Sequence, residues 1–349
     1  MPKYFLIVTF ILLSLVASYL VLNQQIFVRR FSVTEQAVAT PRASPRALTL
    51  DTLFNESDVK GSRVLLTGDV LLARSINAKM IARQDTSWPF AKTSNLLQSA
   101  DITFINLETP LISDCPITIS GMLFCGQSAN ATALANAGID VANLANNHIG
   151  NHGIEGVEET KVTLKAANIQ YSGTEEVVIE ERNGVRFAFL GFNDVDTQPG
   201  VLLADRGEIT RKIAEANAIS DVIIVQFHWG NEYQRQPSDR QKELAHYTID
   251  AGADLVIGNH PHWWQPMEIY QNKVISYSHG NFIFDQMWSY ETREGLVAAY
   301  LFEGTSLVSI EVTPVLIEEY GQPRILEGTE KEQVLNRLKM ASEELRLSY

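Results

Sequence analysis

From Arg63 onward the chain repeats one pattern: a short run of β-type apolar residues, one or two polar residues at its end, then a segment of helical periodicity. The runs fall at 64–67, 102–105, 141–144, 187–190, 222–227, 255–257 and 274–277, and the helical segments include 128–137, 154–167, 211–218 and 239–251. Strands alternating with helices predict an α/β layered fold with much parallel pairing. Beyond Asp285, apolar positions alternate around 296–302 and 306–315, which predicts antiparallel strands covering the sheet. The tail, 330–345, has helical periodicity and is expected to turn Val334, Leu335, Leu338 and Met340 inward.

In sheets of this kind ligands bind at the carboxyl ends of the strands, and the polar residues stand there. The first run delivers Gly68-Asp69, the second Asn106-Leu107-Glu108, the third Asn146-Asn147-His148, the fifth His228-Trp229-Gly230 and the sixth His260-Pro261-His262. Carboxylates, a carboxamide and imidazoles at one edge form a mixed nitrogen and oxygen set suited to divalent transition metals. Three histidines and two carboxylates exceed the needs of one tetrahedral site, which points to a two-metal centre. The plainer alternative for each residue is a turn or helix cap closed by its own side chain. Three imidazoles at separate strand ends are hard to place that way. Glu232 is either a further acid near the site or a solvated loop residue. Trp229, Trp263 and Trp264 are expected to line or cover the pocket, with stacking on a sugar ring as the alternative. His152, His246 and His279 have no role at this level. The sequence holds no internal repeat, P-loop, G-x-S-x-G elbow or G-x-G-x-x-G.

The 349 residues carry 41 acidic against 28 basic side chains, with no Lys/Arg cluster to track a phosphate backbone, so nucleic acid is not an expected partner. Residues 4–22 are apolar almost without interruption. A secretory core has about 7 to 15 such residues and a spanning helix about 20, so residues 1–30 read as an uncleaved signal anchor. Cleavage after the small-x-small Ala37-Val38-Ala39 is the rival, and would give a secreted protein. Residues 31–60, punctuated by Pro41 and Pro45, read as a tether. Residues 61–320 are expected to form the main domain and 321–349 a helical tail packed on it. Cys115 and Cys125, the two cysteines of the chain, lie in a Pro/Gly-punctuated stretch. They are either a short-loop disulfide, as suits an exported domain, or two unrelated thiols.

The motifs TGDVLLAR (67–74), INLETPL (105–111), NLANNHIGNHG (143–153), FHWGNEY (227–233), GNHPHWWQP (258–266) and YSHGNFIFDQ (277–286) occur in one order. Together they resemble the CapA-type capsule or poly-γ-glutamate biosynthesis proteins, a branch of the calcineurin-like metallophosphatase superfamily. The resemblance runs from about Val64 to about Leu301. It implies a four-layer α/β/β/α sandwich, a dimetal-type site, and an exported, membrane-anchored location; an imidazole-rich site accepts one or two divalent ions such as Mn, Fe, Zn or Ni. Carried over by position, it makes Asp69, Glu108, Asn147, His228, His260 and His262 metal ligands, with Glu108 as the bridge. Asn106 becomes an orienting residue, and His148 the general acid that protonates a leaving oxygen. The chain departs from the pattern at Leu71, where the superfamily has a ligand histidine, at Asn151, where an aspartate is usual, and at His279, where an apolar residue is usual.

Two functions follow as expectations. One is a metal-dependent hydrolase or transferase acting on a phosphate ester or on a bond of an anionic polymer. The other is a non-catalytic assembly factor supporting a membrane polymer synthase or export complex. A metal-free glycosidase using Asp69 and Glu108 would leave the histidines without a role.

Overall fold

The structure, a computed structural model, describes residues 48, 49 and 61–348. The expected anchor at 1–30 and, apart from Leu48 and Thr49, the tether at 31–60 lie outside the described residues. Among the described residues no helix is long and apolar enough to cross a membrane.

In chain order the strands are β1 Ser62–Val70, β2 Ile102–Leu107, β3 Leu111–Ile112, β4 Gly126–Gln127, β5 Val141–Asn143, β6 Gln170–Ser172, β7 Val178–Arg182 and β8 Val185–Asn193. They continue as β9 Val222–His228, β10 Leu255–Asn259, β11 Trp264–Tyr270, β12 Lys273–His279, β13 Asn281–Ile283, β14 Glu294–Glu303, β15 Ser306–Glu318 and β16 Gln322–Ile325. The helices are α1 Arg74–Arg83, α2 Ser94–Leu97, α3 Asn130–Ala137, α4 Gly153–Ala166, α5 Arg206–Asn217, α6 Asp239–Asp250 and α7 Gly328–Leu347. One sheet runs β16-β15-β14-β1-β2-β5-β6, with β13 also paired to β1, and a second runs β11-β12-β10-β9-β8-β7. Their centres are parallel, as the alternation predicts, and β14, β15 and β16 extend the first sheet antiparallel.

The period of two along each strand decides the layers. Val64, Leu66, Ile102 and Phe104 of the first sheet meet Phe187, Phe189, Val222, Ile224, Leu255 and Ile257 of the second in one core. Phe104 lies edge-on to Phe189 with ring centroids 5.0 Å apart. The alternate residues face outward. Leu65, Ile105 and Ala142 pack with Ile76, Met80, Leu134 and Leu164. Ile223, Val225 and Val256 pack with Ile213, Leu244 and Ile249. Each large side chain buried this way contributes roughly 1.5–3 kcal/mol. The result is a mixed α/β sandwich, helices outside and two sheets inside.

Two local details differ from the expected pattern. Helix α5 starts at Arg206 rather than Arg211, because the Asp205 side chain accepts from the backbone N–H groups of Gly207 and Glu208 and so caps an earlier turn. On α7, Val334 and Leu338 are buried as expected and Leu335 packs against the same core, but Met340 is 63% exposed. At about 100° per residue the inward stripe continues through Ala341, Ser342 and Leu345 instead.

Candidate metal centre

Strand β1 reaches the site through Gly68, where an added Cβ would lie 2.2 Å from the Gly280 carbonyl oxygen. That close approach lets β13 pair Asn281 with Asp69. Glu108 follows β2 directly, Asn147 and His148 lie in the turns after β5, and His228 is the last residue of β9. His260 and His262 follow β10 with φ of +96° and +58°. This left-handed backbone is unusual for non-glycine residues.

The structure brings these seven side chains together. The Asp69 carboxylate accepts from Asn106 Nδ2 at 2.8 Å and from the His260 backbone N–H at 3.2 Å, and His262 Nδ1 is 3.3 Å from its Oδ2. His228 Nε2 lies 2.9 Å from Asn147 Oδ1, so two ligand-type atoms point at one spot. Glu108 Oε1 is 3.9 Å from Nε2 of both His148 and His228. Among the described residues, two groups have ligand atoms mutually within 4.8 Å: Asp69 with Glu108 and His228, and Glu232 with His260 and His262.

Hydrogen bonding fixes how several groups point. Asn281 Nδ2 donates to the Thr292 carbonyl, which orients its Oδ1 toward His262 Nδ1 at 2.9 Å. The Nδ1–H of His262 is thus held, and its Nε2 is left for a ligand role. Asn151 Oδ1 accepts from the Phe124 backbone N–H at 2.7 Å and lies 3.1 Å from His148 Nδ1. His148 therefore carries its proton on Nδ1, and Nε2 faces Glu108. Asn106 Oδ1 accepts from Asn146 and Asn143, completing a carboxamide chain behind Asp69 and His228.

Both carboxylate oxygens of Glu108 are buried without a hydrogen-bond partner, as is His260 Nδ1. Burial pushes Glu108 well above the usual carboxylate range, and the negative charges of Asp69 and Glu232 add to it. Arg74, whose positive charge acts on Glu108, is engaged by Asp285. Burial likewise pulls His228 well below its ordinary value, His260 to about 3 and His148 to about 4. Buried imidazoles held neutral keep a lone pair available, and a buried carboxylate without a partner requires a positive charge. The donor set therefore fits divalent cations.

Sequence reasoning missed Asn281, Phe124 and Arg74. Phe124 stacks on His148 with ring centroids 3.9 Å apart, and the Arg74 guanidinium lies over the Phe124 ring, 4.5 Å from its centroid. Phe124 precedes Cys125, which is disulfide-bonded to Cys115. Leu71 is fully buried in the outer core, so no ligand comes from that position. Asn151 replaces an aspartate yet still holds His148. Trp229 and Trp264 prove to be packing residues: their indole N–H groups donate to the Tyr277 carbonyl and to Glu294. His246 bonds Glu268, and His279 bonds the Tyr300 hydroxyl between the sheets.

The disulfide gives a first expected result. Replacing Cys115 and Cys125 by serine frees a loop closed over ten positions and should lower stability by roughly 3 kcal/mol, read by denaturant unfolding. An unchanged midpoint would mean that the bond adds nothing to folding.

Residues 63–286 match the family described as bacterial capsule synthesis protein PGA_cap. The chain is 31% identical over 301 residues to the capsule biosynthesis protein CapA of Bacillus anthracis, covering 78% of this chain and 72% of that protein. It is 32% identical over 275 residues to the PGA biosynthesis protein CapA of Bacillus subtilis, covering 72% and 70%. It is 29% identical over 252 residues to a probable polyglutamine synthesis accessory protein of Mycobacterium tuberculosis, covering 63% and 65%.

Proposed function

The chain belongs to the bacterial capsule synthesis protein family PGA_cap, and from that membership we propose that it serves capsule or poly-γ-glutamate synthesis through a metal-dependent hydrolase or transferase site of metallophosphatase type. The observation that carries this reading is Glu108: a fully buried carboxylate with two unpartnered oxygens, set among Asp69, Asn147, His228, His260 and His262. Those six residues would hold the metal, one or two ions drawn from Mn, Fe, Zn or Ni. Bound divalent ions supply Lewis acidity and an activated water nucleophile.

The remaining chemistry belongs to the chain. His148, fixed by Asn151 and Phe124, presents Nε2 toward Glu108 and is the proton-transfer group at the leaving oxygen. An anionic substrate group beside it favours its protonated form. The Asn106 amide holds Asp69 in register, and Asn281 does the same for His262. The substrate is a phosphate ester or an anionic polymer. The proposed location is the outer face of the cell membrane, held by residues 1–30. The Cys115–Cys125 bond supports an oxidising compartment.

A second reading, a non-catalytic assembly factor of a membrane polymer synthase, is favoured by one feature. The disulfide loop, whose Phe124 stacks on His148, exposes Ile117, Ile119, Met122 and Leu123, a surface of the kind that marks protein contacts.

Protein purified without chelator should contain a divalent metal and turn over model phosphate esters or poly-γ-glutamate. Activity should disappear on chelation and return with added metal. Turnover that survives removal of all metal would overturn the catalytic reading.

A further inference from the structure

Glu232 is the one acidic residue singled out in the sequence that the proposed ligand set does not use. It lies on the segment leaving β9, three positions beyond Trp229, and its carboxylate comes within 4.8 Å of the ligand nitrogens of both His260 and His262. The segment that carries it is fastened to the histidine turn, because the Tyr233 backbone N–H donates to the Pro261 carbonyl at 2.8 Å. Gly230, with φ of +84°, makes the bend, and an added Cβ there would sit 2.5 Å from the Gln241 side chain. The Tyr233 hydroxyl accepts from Gln286 Nε2 at 3.2 Å, and its ring lies 6.1 Å from that of His262, so the segment carrying Glu232 is held against the histidine turn.

We propose that Glu232 is a metal ligand, closing a second cation position with His260 and His262 beside the one formed by Asp69, Glu108 and His228. The inference rests on the reading that this pocket binds divalent metal. Two independent features support it. His260 is 4% exposed and its Nδ1 has no hydrogen-bond partner, a desolvation cost that a bound cation removes. Charge gives the second. Three carboxyl groups, from Asp69, Glu108 and Glu232, converge where Arg74, whose charge acts on Glu108, is already paired with Asp285. One divalent cation leaves such a set negative, whereas two leave it positive and able to attract an anionic substrate oxygen. Glu232 thus supplies from the exit of β9 the ligand that Leu71, turned into the outer core just past the end of β1, does not supply.

The test is metal stoichiometry. The full chain is stripped with chelator, reconstituted with Mn²⁺ and measured by elemental analysis, by calorimetric titration and by electron paramagnetic resonance for coupling between paired ions. Wild type should take up two ions per chain with a coupled spectrum. Glu232→Gln should take up one at ion concentrations that saturate wild type, with an uncoupled spectrum and an unchanged circular dichroism signal. Glu232→Asp, which keeps the charge, should recover part of the second equivalent. Equal stoichiometry and affinity in wild type and Glu232→Gln, whether one ion or two, overturns the assignment of Glu232 and leaves the metal site standing. Wild type that binds no divalent ion overturns both.

Discussion

Replacing His148 by alanine is expected to reduce turnover by about 10²–10⁴-fold, the usual contribution of a positioned general acid or base, while metal content and melting temperature change little. The side chain sits in the pocket wall, stacked on Phe124 and tied through Nδ1 to Asn151, and contacts Glu108 only at 3.9 Å. Its loss removes a proton carrier without removing a ligand. Steady-state rates on the best substrate, with elemental analysis of the same preparation, read the effect. Asn151→Ala should act in the same direction but more weakly, because the ring stays present and loses only the acceptor that fixes its Nδ1–H. Should His148→Ala keep full turnover, the acid role fails. Should it lose turnover and still support capsule formation in cells, the assembly reading is the correct one.

The second large effect has opposite signs with and without metal. In the metal-free protein Glu108 is a buried carboxylate pushed well above its ordinary value. Its neutral form therefore favours the native state. The stabilising contribution of that protonation is fully present below the unfolded value and is lost as pH rises through the higher folded one. Glu108→Gln removes the charge and should stabilise the metal-free protein at neutral pH by roughly 1–3 kcal/mol, flattening the pH dependence of its melting temperature. With metal the order reverses. Wild type should gain about 2.7 kcal/mol at an ion concentration 100 times Kd, and the glutamine variant should gain little. Differential scanning calorimetry with chelator and with Mn²⁺ separates the two cases. If the variant were less stable than wild type in chelator, burial of an uncompensated charge would not be the dominant property of Glu108.

Both effects depend on how local chain chemistry meets long-range packing. The sandwich was legible because its signals are local: β1, β2, β9 and β10 each carry a run of apolar residues, and alternate residues of such runs must bury opposite faces. The five polar strand ends were legible for the same reason. What periodicity could not reveal were the short strands β6, β7, β11 and β13, which are brief or half-polar and become strands only by pairing with neighbours already in place. Met340 shows a related limit, since Val334 and Leu338 identify a helix face but not where its edge falls against a particular sheet.

Within the site, the sequence by itself picked out the candidate residues and the strand ends that carry them: Asp69, Glu108, Asn147, His148, His228, His260 and His262. Their identities suffice, because a carboxylate or imidazole at the mouth of a parallel sheet has few bland explanations when several occur in one chain. Only the tertiary structure decided the partners that set each donor's orientation and charge. Asn281 fixes His262 from 19 positions away, Asn106 serves Asp69 from 37, and Glu232 approaches His260 through a turn fastened at Pro261. Phe124 reaches His148 from 24 positions away, held by Asn151 and next to the Cys115–Cys125 disulfide. The physical reason is range: the apolar period that builds a strand acts between neighbours, whereas a hydrogen bond or metal position needs atoms placed to within a few tenths of an ångström, and that precision arises when separate loops pack against one another.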